Sequence, residues 1–251
     1  MRAEWKRSKD ITRNPKRPDT EAWLTPSVED FLKAVYHLQQ EGGSAATTRL
    51  ADELGIAPSS VTDMIKRLAC IKDDGIDCQD MPEPLLEYKP YHGAKLTEAG
   101  EHVALKVIRR HRLIELLLYR VLGYSWDEVH QEAEQIEHSV SPLFVERLAE
   151  ALGNPDLDPH GDPIPDESGA LPSSELVSLS SLKVEEGGTI VQIRHQEPET
   201  LRSLAQLGLV PGEALTVTDH NALTDTVTLR LHAGKTEVIS TRVAEMIAVK
   251  V

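Results

Sequence analysis

The hydrophobic period of this chain changes once, and that change limits the fold more than any other feature. Up to about residue 152 apolar residues recur at helical spacing, whereas from about residue 179 they alternate with polar ones. Between the two lies NPDLDPHGDPIPDESGALPSS, dense in proline, glycine, aspartate and serine. A helical stripe cannot serve as a strand face, so the break predicts a mainly α protein with a small β-domain at its C-terminal end. At 251 residues the chain has room for two or three such domains.

In the helical part, Thr25-Pro26 opens a stripe of Val28, Phe31, Leu32, Val35 and Leu38 that Gly42-Gly43 stops. A short helix follows over Thr47 to Leu54, then Gly55-Ile56-Ala57, then a third helix from Pro58, which suits a first turn because its missing amide needs no partner there. Val61, Ile65 and Leu68 form the inner face of that third helix. Two short helices around a glycine-containing turn make a helix-turn-helix. Its outer face carries Ser59, Ser60, Thr62, Lys66 and Arg67, with Arg49 nearby, as a helix reading a major groove does. Standing alone, the pattern weighs evenly against an ordinary three-helix domain. After the polar insertion 73–84, LLEYKPYHGAKLT predicts a hairpin, or wing, around His92-Gly93.

Residues 97–122, a segment from Trp126 to about His138, and 142–152 predict three further helices. Beyond the break, GGTIVQIR, EALTVTDH, DTVTLRLH, TEVIS and EMIAVKV predict five strands of a small antiparallel barrel, with a short helix at 201–209. Residues 1–24, basic and without an apolar period, predict a flexible arm.

The net charge of −14 opposes nucleic-acid binding at first sight, but it is unevenly spread. Through Leu118 the chain holds 18 basic and 19 acidic residues; the remainder holds 9 and 22. A near-neutral half with basic patches leaves DNA possible, and the acidic half invites a cation. The first ten residues lack the apolar stretch of a secretory signal, and no apolar run approaches the ~20 residues of a membrane span. Cys70 and Cys78 are too few for a disulfide framework, so a cytoplasmic protein without membrane contact is expected.

The strongest local signal is HQEAEQIEH. At ~100° per residue, His130, Glu134, Glu137 and His138 share one helix face. His111 and Glu115, spaced i and i+4 on the preceding helix, form a second pair. Carboxylate and imidazole without thiolate favour Mn²⁺ or Fe²⁺, with other divalent transition metals such as Zn²⁺ able to substitute. Glutamates on a solvated face are the commoner fate of such a run, but two clusters on consecutive helices outweigh it. There is no HExxH, G-x-S-x-G or glycine-rich phosphate loop, so no enzyme is predicted.

The helix-turn-helix, RRHRLIELLL, HQEAEQIEH, DPHGDPIP and the terminal barrel, in that order over roughly residues 25–251, resemble the diphtheria toxin repressor family of metal-dependent transcriptional regulators. The resemblance implies a homodimeric repressor of metal-uptake genes bound to a palindromic operator. It also implies a winged helix-turn-helix domain over 25–96, a helical metal-binding and dimerisation domain over 97–153, a linker over 154–178 and an SH3-like domain over 179–251. By the family pattern Asp30, Glu134, Glu137 and His138 match the regulatory metal site. His111, Glu115 and His130 match a second site, to which Glu197 corresponds from the third domain. Asp30 and Glu134 stand where the iron-responsive branch has Met and Cys; this oxygen-richer set, as in the manganese branch, makes Mn²⁺ the preferred metal and Fe²⁺ the alternative. Lys33 stands where the manganese branch has a glutamate, and Thr200 where the iron branch has a glutamine. A second reading makes the metal cluster structural and the barrel the sensor of another ligand.

Overall fold

The computed structural model describes residues 23–71, 81 and 83–251. Nearly all of the expected arm, most of the 73–84 insertion, and Cys78 lie outside the described residues. Close packing divides the chain into two units, one up to Ala104 and one from Leu105 to Val251.

In the first unit, α1 (Pro26–Gln40), α2 (Thr47–Leu54) and α3 (Pro58–Leu68) follow the expected boundaries. The starts of α1 and α3 carry proline, and Gly55 ends α2 in the left-handed conformation, φ +62°. Val28, Phe31, Leu32, Leu50, Val61, Ile65 and Leu68 are buried together with Leu85, Leu86 and Ala94 of the hairpin β1 (Leu86–Lys89) and β2 (Gly93–Leu96). The hairpin gains a third partner: Ala45, ahead of α2, exchanges both backbone hydrogen bonds with Ala94 at 2.9 Å. Gly93 permits this approach, since its φ is +83° and a Cβ there would lie 2.4 Å from the Ala45 carbonyl oxygen.

α4 (Glu98–Leu117) begins with the Thr97 hydroxyl accepting from the Gly100 amide, and continues as a π-helical turn over Leu118–Leu122. α5 (Val129–Ile136) and α6 (Pro142–Ala151) follow. α5 starts later and ends sooner than the sequence pattern suggests: Trp126 lies before it, and Glu137–Ser139 form a separate 3₁₀ turn. The reason lies downstream, where Pro142 keeps Ser141 extended, ψ 157°, so that Ser141 caps α6 instead of prolonging α5. Leu113, Ile114, Leu116, Leu118, Val129, Ala133, Leu148 and Ile164 form the core of this part.

The remainder is an antiparallel sheet of six strands, one more than the sequence shows, because Val177–Ser178 adds a two-residue edge strand. With β3 (Val177–Ser178), β4 (Gly187–Ile193), β5 (Ala214–Asn221), β6 (Thr226–Leu231), β7 (Thr236–Ser240) and β8 (Ile247–Lys250), the order is β3-β8-β4-β5-β6-β7. Irregularities at Ile190/Gln192 and Val217/Asp219 interrupt the ladders where a small sheet must curl. α7 (Pro198–Leu207) and α8 (Thr241–Glu245) complete this SH3-like domain.

The composition break at 154–178 is an ordered strap. Asp158 accepts from the amides of His160 and Asp162, and Arg109 and Arg112 of α4 donate to the carbonyls of Pro165 and Pro163. The Ile193 amide donates to the His160 carbonyl, and Gly161 lies so close to β4 that a Cβ would overlap the Val191 carbonyl oxygen at 1.7 Å. Asp162 accepts from Gln192 and Gln196, and Trp126 is buried in the core of the sheet domain. These contacts explain why residues 105–251 pack as one unit.

Candidate metal centre

Helical spacing on α4 puts His111 and Glu115 on one face, and α5 presents His130 and Glu134 to it. His111 Nε2 lies 2.9 Å from Glu115 Oε1 and 3.1 Å from His130 Nδ1, which is itself 3.2 Å from Glu115 Oε1. On its other edge, His111 Nδ1 lies 2.9 Å from Glu137 Oε2 and 3.6 Å from Glu134 Oε1. One imidazole thus stands between two donor groups. His138 Nε2 is 3.5 Å from Glu137 Oε1. Glu137 is fully buried and Glu115 nearly so, whereas the His130 side chain is 46 % exposed and opens the group to solvent.

The electrostatics fit this geometry. Burial works against ionisation of Glu115, yet attraction to His111 and hydrogen bonds from His111 and His130 outweigh it and hold its pKa well below the usual carboxylate range. The result is a persistent buried anion facing imidazole nitrogens.

The structure adds two residues that sequence reading missed. Asp158 and His160, both buried on the strap, bring donor atoms within 4.8 Å of Glu115 and of each other. His160 Nε2 is 2.7 Å from the Trp126 carbonyl oxygen, which fixes the proton on that nitrogen. Its Nδ1 is buried and has no hydrogen-bond partner, so this nitrogen keeps an unused lone pair. Burial first, then Asp162 and Glu115, push the Asp158 carboxyl well above its ordinary pKa, against the pull of Arg112. Oxygen and nitrogen donors, an orphaned lone pair and two carboxylates at close range fit a hard or borderline divalent cation. The signal in the sequence was the D-x-H spacing of Asp158-Pro159-His160, hidden within a segment read as linker.

Other expected residues fall elsewhere. Asp30 and Lys33 lie on α1, in the first unit. Glu197 is exposed ahead of α7 and enters none of the donor groups among the described residues. Ser59, Ser60 and Arg67 are exposed on α3, with Thr62 and Lys66 half-buried. The Thr62 hydroxyl donates to the Pro58 carbonyl, Arg67 approaches the Met64 sulfur at 3.0 Å, and Arg49 of α2 pairs with Glu41 at 2.5 Å. Among the described residues no helix is long and apolar enough to cross a membrane.

Three family models match the chain in order. They are the iron dependent repressor N-terminal DNA binding domain over residues 23–73, the iron dependent repressor metal binding and dimerisation domain over 97–166, and the FeoA domain over 177–251. The iron-dependent repressor IdeR of Mycobacterium tuberculosis is 32 % identical over 208 residues, which cover 77 % of this chain and 84 % of IdeR. The HTH-type transcriptional regulator MntR of Bacillus subtilis is 32 % identical over 128 residues, covering 51 % of this chain and 81 % of MntR. A solved manganese-dependent transcriptional repressor in complex with manganese superposes with a TM-score of 0.77 at 32 % identity, covering 89 % of this chain and 99 % of that one. A helix-turn-helix followed by a donor-lined helical domain and an SH3-like sheet defines a DNA-binding transcriptional regulator, not an enzyme. The chain belongs to the iron-dependent repressor family, the diphtheria toxin repressor family that its motifs resemble.

Proposed function

We propose that this protein is a cytoplasmic, homodimeric repressor that binds a palindromic operator when loaded with Mn²⁺ or, as the alternative, Fe²⁺, and controls metal-uptake genes. The observation that carries the reading is the convergence of His111, Glu115, His130, Glu134 and Glu137 into contiguous nitrogen and oxygen donor groups without a thiolate. In this reading Asp30, Glu134, Glu137 and His138 hold the regulatory ion, and His111, Glu115 and His130 a second, with Asp158 and His160 beside Glu115. A cation bound there would add positive charge among these carboxylates. Asp30 precedes the other ligands by more than 80 residues, so its share in the site joins the reading head to the helical domain. Without that link the carboxylates repel one another and the head is free to vary its position. Fixing the two α3 helices of a dimer near the ~34 Å repeat of adjacent major grooves removes an ordering cost from DNA binding.

The domain limits proposed are those of the resemblance: 25–96, 97–153, 154–178 and 179–251, with 1–24 as an arm. Ser59, Ser60, Thr62, Lys66, Arg67 and Arg49 are the proposed DNA contacts. With its hydroxyl turned back to Pro58, Thr62 has its methyl left for a thymine. Dimerisation is in keeping with the exposure of Tyr119, Val121 and Leu122 on the π-helical turn and of Leu143 and Phe144 on α6, large apolar side chains that a partner would cover.

The test is DNA binding to fluorescent promoter fragments of metal-transporter genes, titrated with Mn²⁺, anaerobic Fe²⁺ and chelator. Affinity should rise with metal and fall back with chelator, and the order of potency assigns the metal. Equal affinity throughout refutes metal control.

A further inference from the structure

The wing presents an aromatic side chain in a conformation that its backbone penalises. The Lys89 carbonyl accepts from the His92 amide at 3.0 Å, closing a turn with Pro90 and Tyr91 at its two central positions. Tyr91 has φ +65°. A positive φ after a central proline marks a type II turn, in which that position belongs to glycine or asparagine. For a bulky residue it is a genuine outlier, and strain of this kind gathers where function requires a particular side chain. Tyr91 is also fully exposed, so no packing within its unit compensates for the strain.

The turn is held firmly. Below it, β1 and β2 pair from Lys89↔Gly93 to Leu86↔Leu96, and Ala45 bonds to Ala94 on the other edge. The Ser44 hydroxyl donates to the His92 carbonyl, and the Leu96 amide donates to Gln39 of α1. Leu85 connects the base of the hairpin to the last turn of α3, its amide donating to the Leu68 carbonyl. The tip is therefore fixed relative to the helix that reads DNA. Exposed Lys89, His92 and Lys95 surround it, with Glu87 opposite Lys95 across the hairpin. A projecting phenol ring flanked by cations suits a groove walled by phosphates.

We propose that Tyr91 is a DNA contact, its ring set into the minor groove that flanks the major-groove site of α3, with Lys89 and His92 against the bordering phosphates. This rests on the reading that α3 enters the major groove. It predicts that operator selectivity extends beyond the bases α3 reaches, through groove width instead of base-edge hydrogen bonds.

The test uses the full chain with Mn²⁺ and a duplex that the unmodified protein selects from random 30-mers. Tyr91→Gly suits the turn, so it should melt no lower than the parent, yet bind the duplex about tenfold more weakly. Tyr91→Phe should restore affinity to within about twofold, because the ring and not the hydroxyl makes the contact. Hydroxyl-radical footprints, which report the minor groove, should lose protection beside the half-site with Tyr91→Gly. Methylation protection at guanine N7 under α3 should persist. Unchanged affinity and footprints for Tyr91→Gly overturn the proposal while leaving the repressor reading intact. Loss of both footprints together with a lower melting temperature also overturns it, making Tyr91 a structural residue. If the unmodified protein selects no duplex with Mn²⁺, the repressor reading fails and this inference with it.

Discussion

The pairing of His111 with Glu115 is the point at which stability and function meet, and cutting it separates them. Glu115 has a side-chain exposure of 2 %, with His111 at 2.9 Å and His130 at 3.2 Å. Replacing His111 by alanine leaves that carboxylate buried with one partner fewer. Removing one member of a buried pair costs about 3–5 kcal/mol, and since His130 remains, the lower end, about 3 kcal/mol, is expected. Glu115→Ala removes the buried charge itself and leaves His111 with Glu137, so the double variant should cost about 1–2 kcal/mol less than the sum of the single ones. Urea unfolding followed by circular dichroism, with chelator present, measures all three. The pH dependence gives an independent sign. A carboxylate whose folded pKa is lowered stabilises the fold above its unfolded value and loses that contribution as pH falls through the folded one. The gap between parent and His111→Ala should therefore be full near neutral pH and close in acid. A cost for His111→Ala under about 1 kcal/mol, with additive single variants, would show that these groups are not coupled and that their proximity is incidental.

Three further outcomes follow from the same geometry. Asp158→Asn should raise the stability of the metal-free protein by about 1 kcal/mol at alkaline pH, and the gain should shrink to nothing as pH falls below the ordinary carboxylate range, because a raised folded pKa costs stability only where the same group ionises in the unfolded chain. Calorimetric melting with and without Mn²⁺ should also show a smaller metal-induced rise for this variant. Trp126→Ala removes a large buried side chain from the sheet domain's core and should cost about 3–5 kcal/mol in urea unfolding; a cost below about 1 kcal/mol would mean that Trp126 is not part of that core. Lys66→Ala with Arg67→Ala should weaken DNA binding across sequences and flatten the slope of log affinity against log salt by about 2, measured by fluorescence anisotropy between low and high salt.

What could be read in advance divides along a physical line. α1, α2 and α3 are legible because a strong apolar stripe coincides with local stop signals at Gly42-Gly43 and Gly55 and start signals at Pro26 and Pro58, so period and punctuation agree. His111–Glu115 and His130–Glu134 are legible for the same reason, since i,i+4 spacing is a local property of a helix. Glu137 and His138 were expected on the continuing face of α5, but Pro142 turns the chain before that face is complete, and a 3₁₀ turn carries them instead. Asp158 and His160 have no period at all. Their place beside Glu115 depends on Arg109 and Arg112 holding the strap, which no spacing along the chain encodes.

The charge imbalance acquires its meaning only through that strap. Buried charged or titratable groups between Leu105 and Val251 are His111, Arg112, Glu115, Glu137, Asp158 and His160. Arg112 is the one permanent cation among them, and it is already engaged with the Pro163 carbonyl and, at 3.4–3.7 Å, with Asp162 and Asp158. Of the three buried carboxylates, Glu115 and Glu137 stand against imidazole nitrogens, and Asp158 is pushed toward protonation in spite of Arg112. Nothing in packing alone requires such an arrangement, since apolar residues of like size fill a core at lower cost. An arrangement that is costly without added positive charge is one that a divalent cation stabilises, and this links the acidic second half of the sequence to the donor groups of its fold.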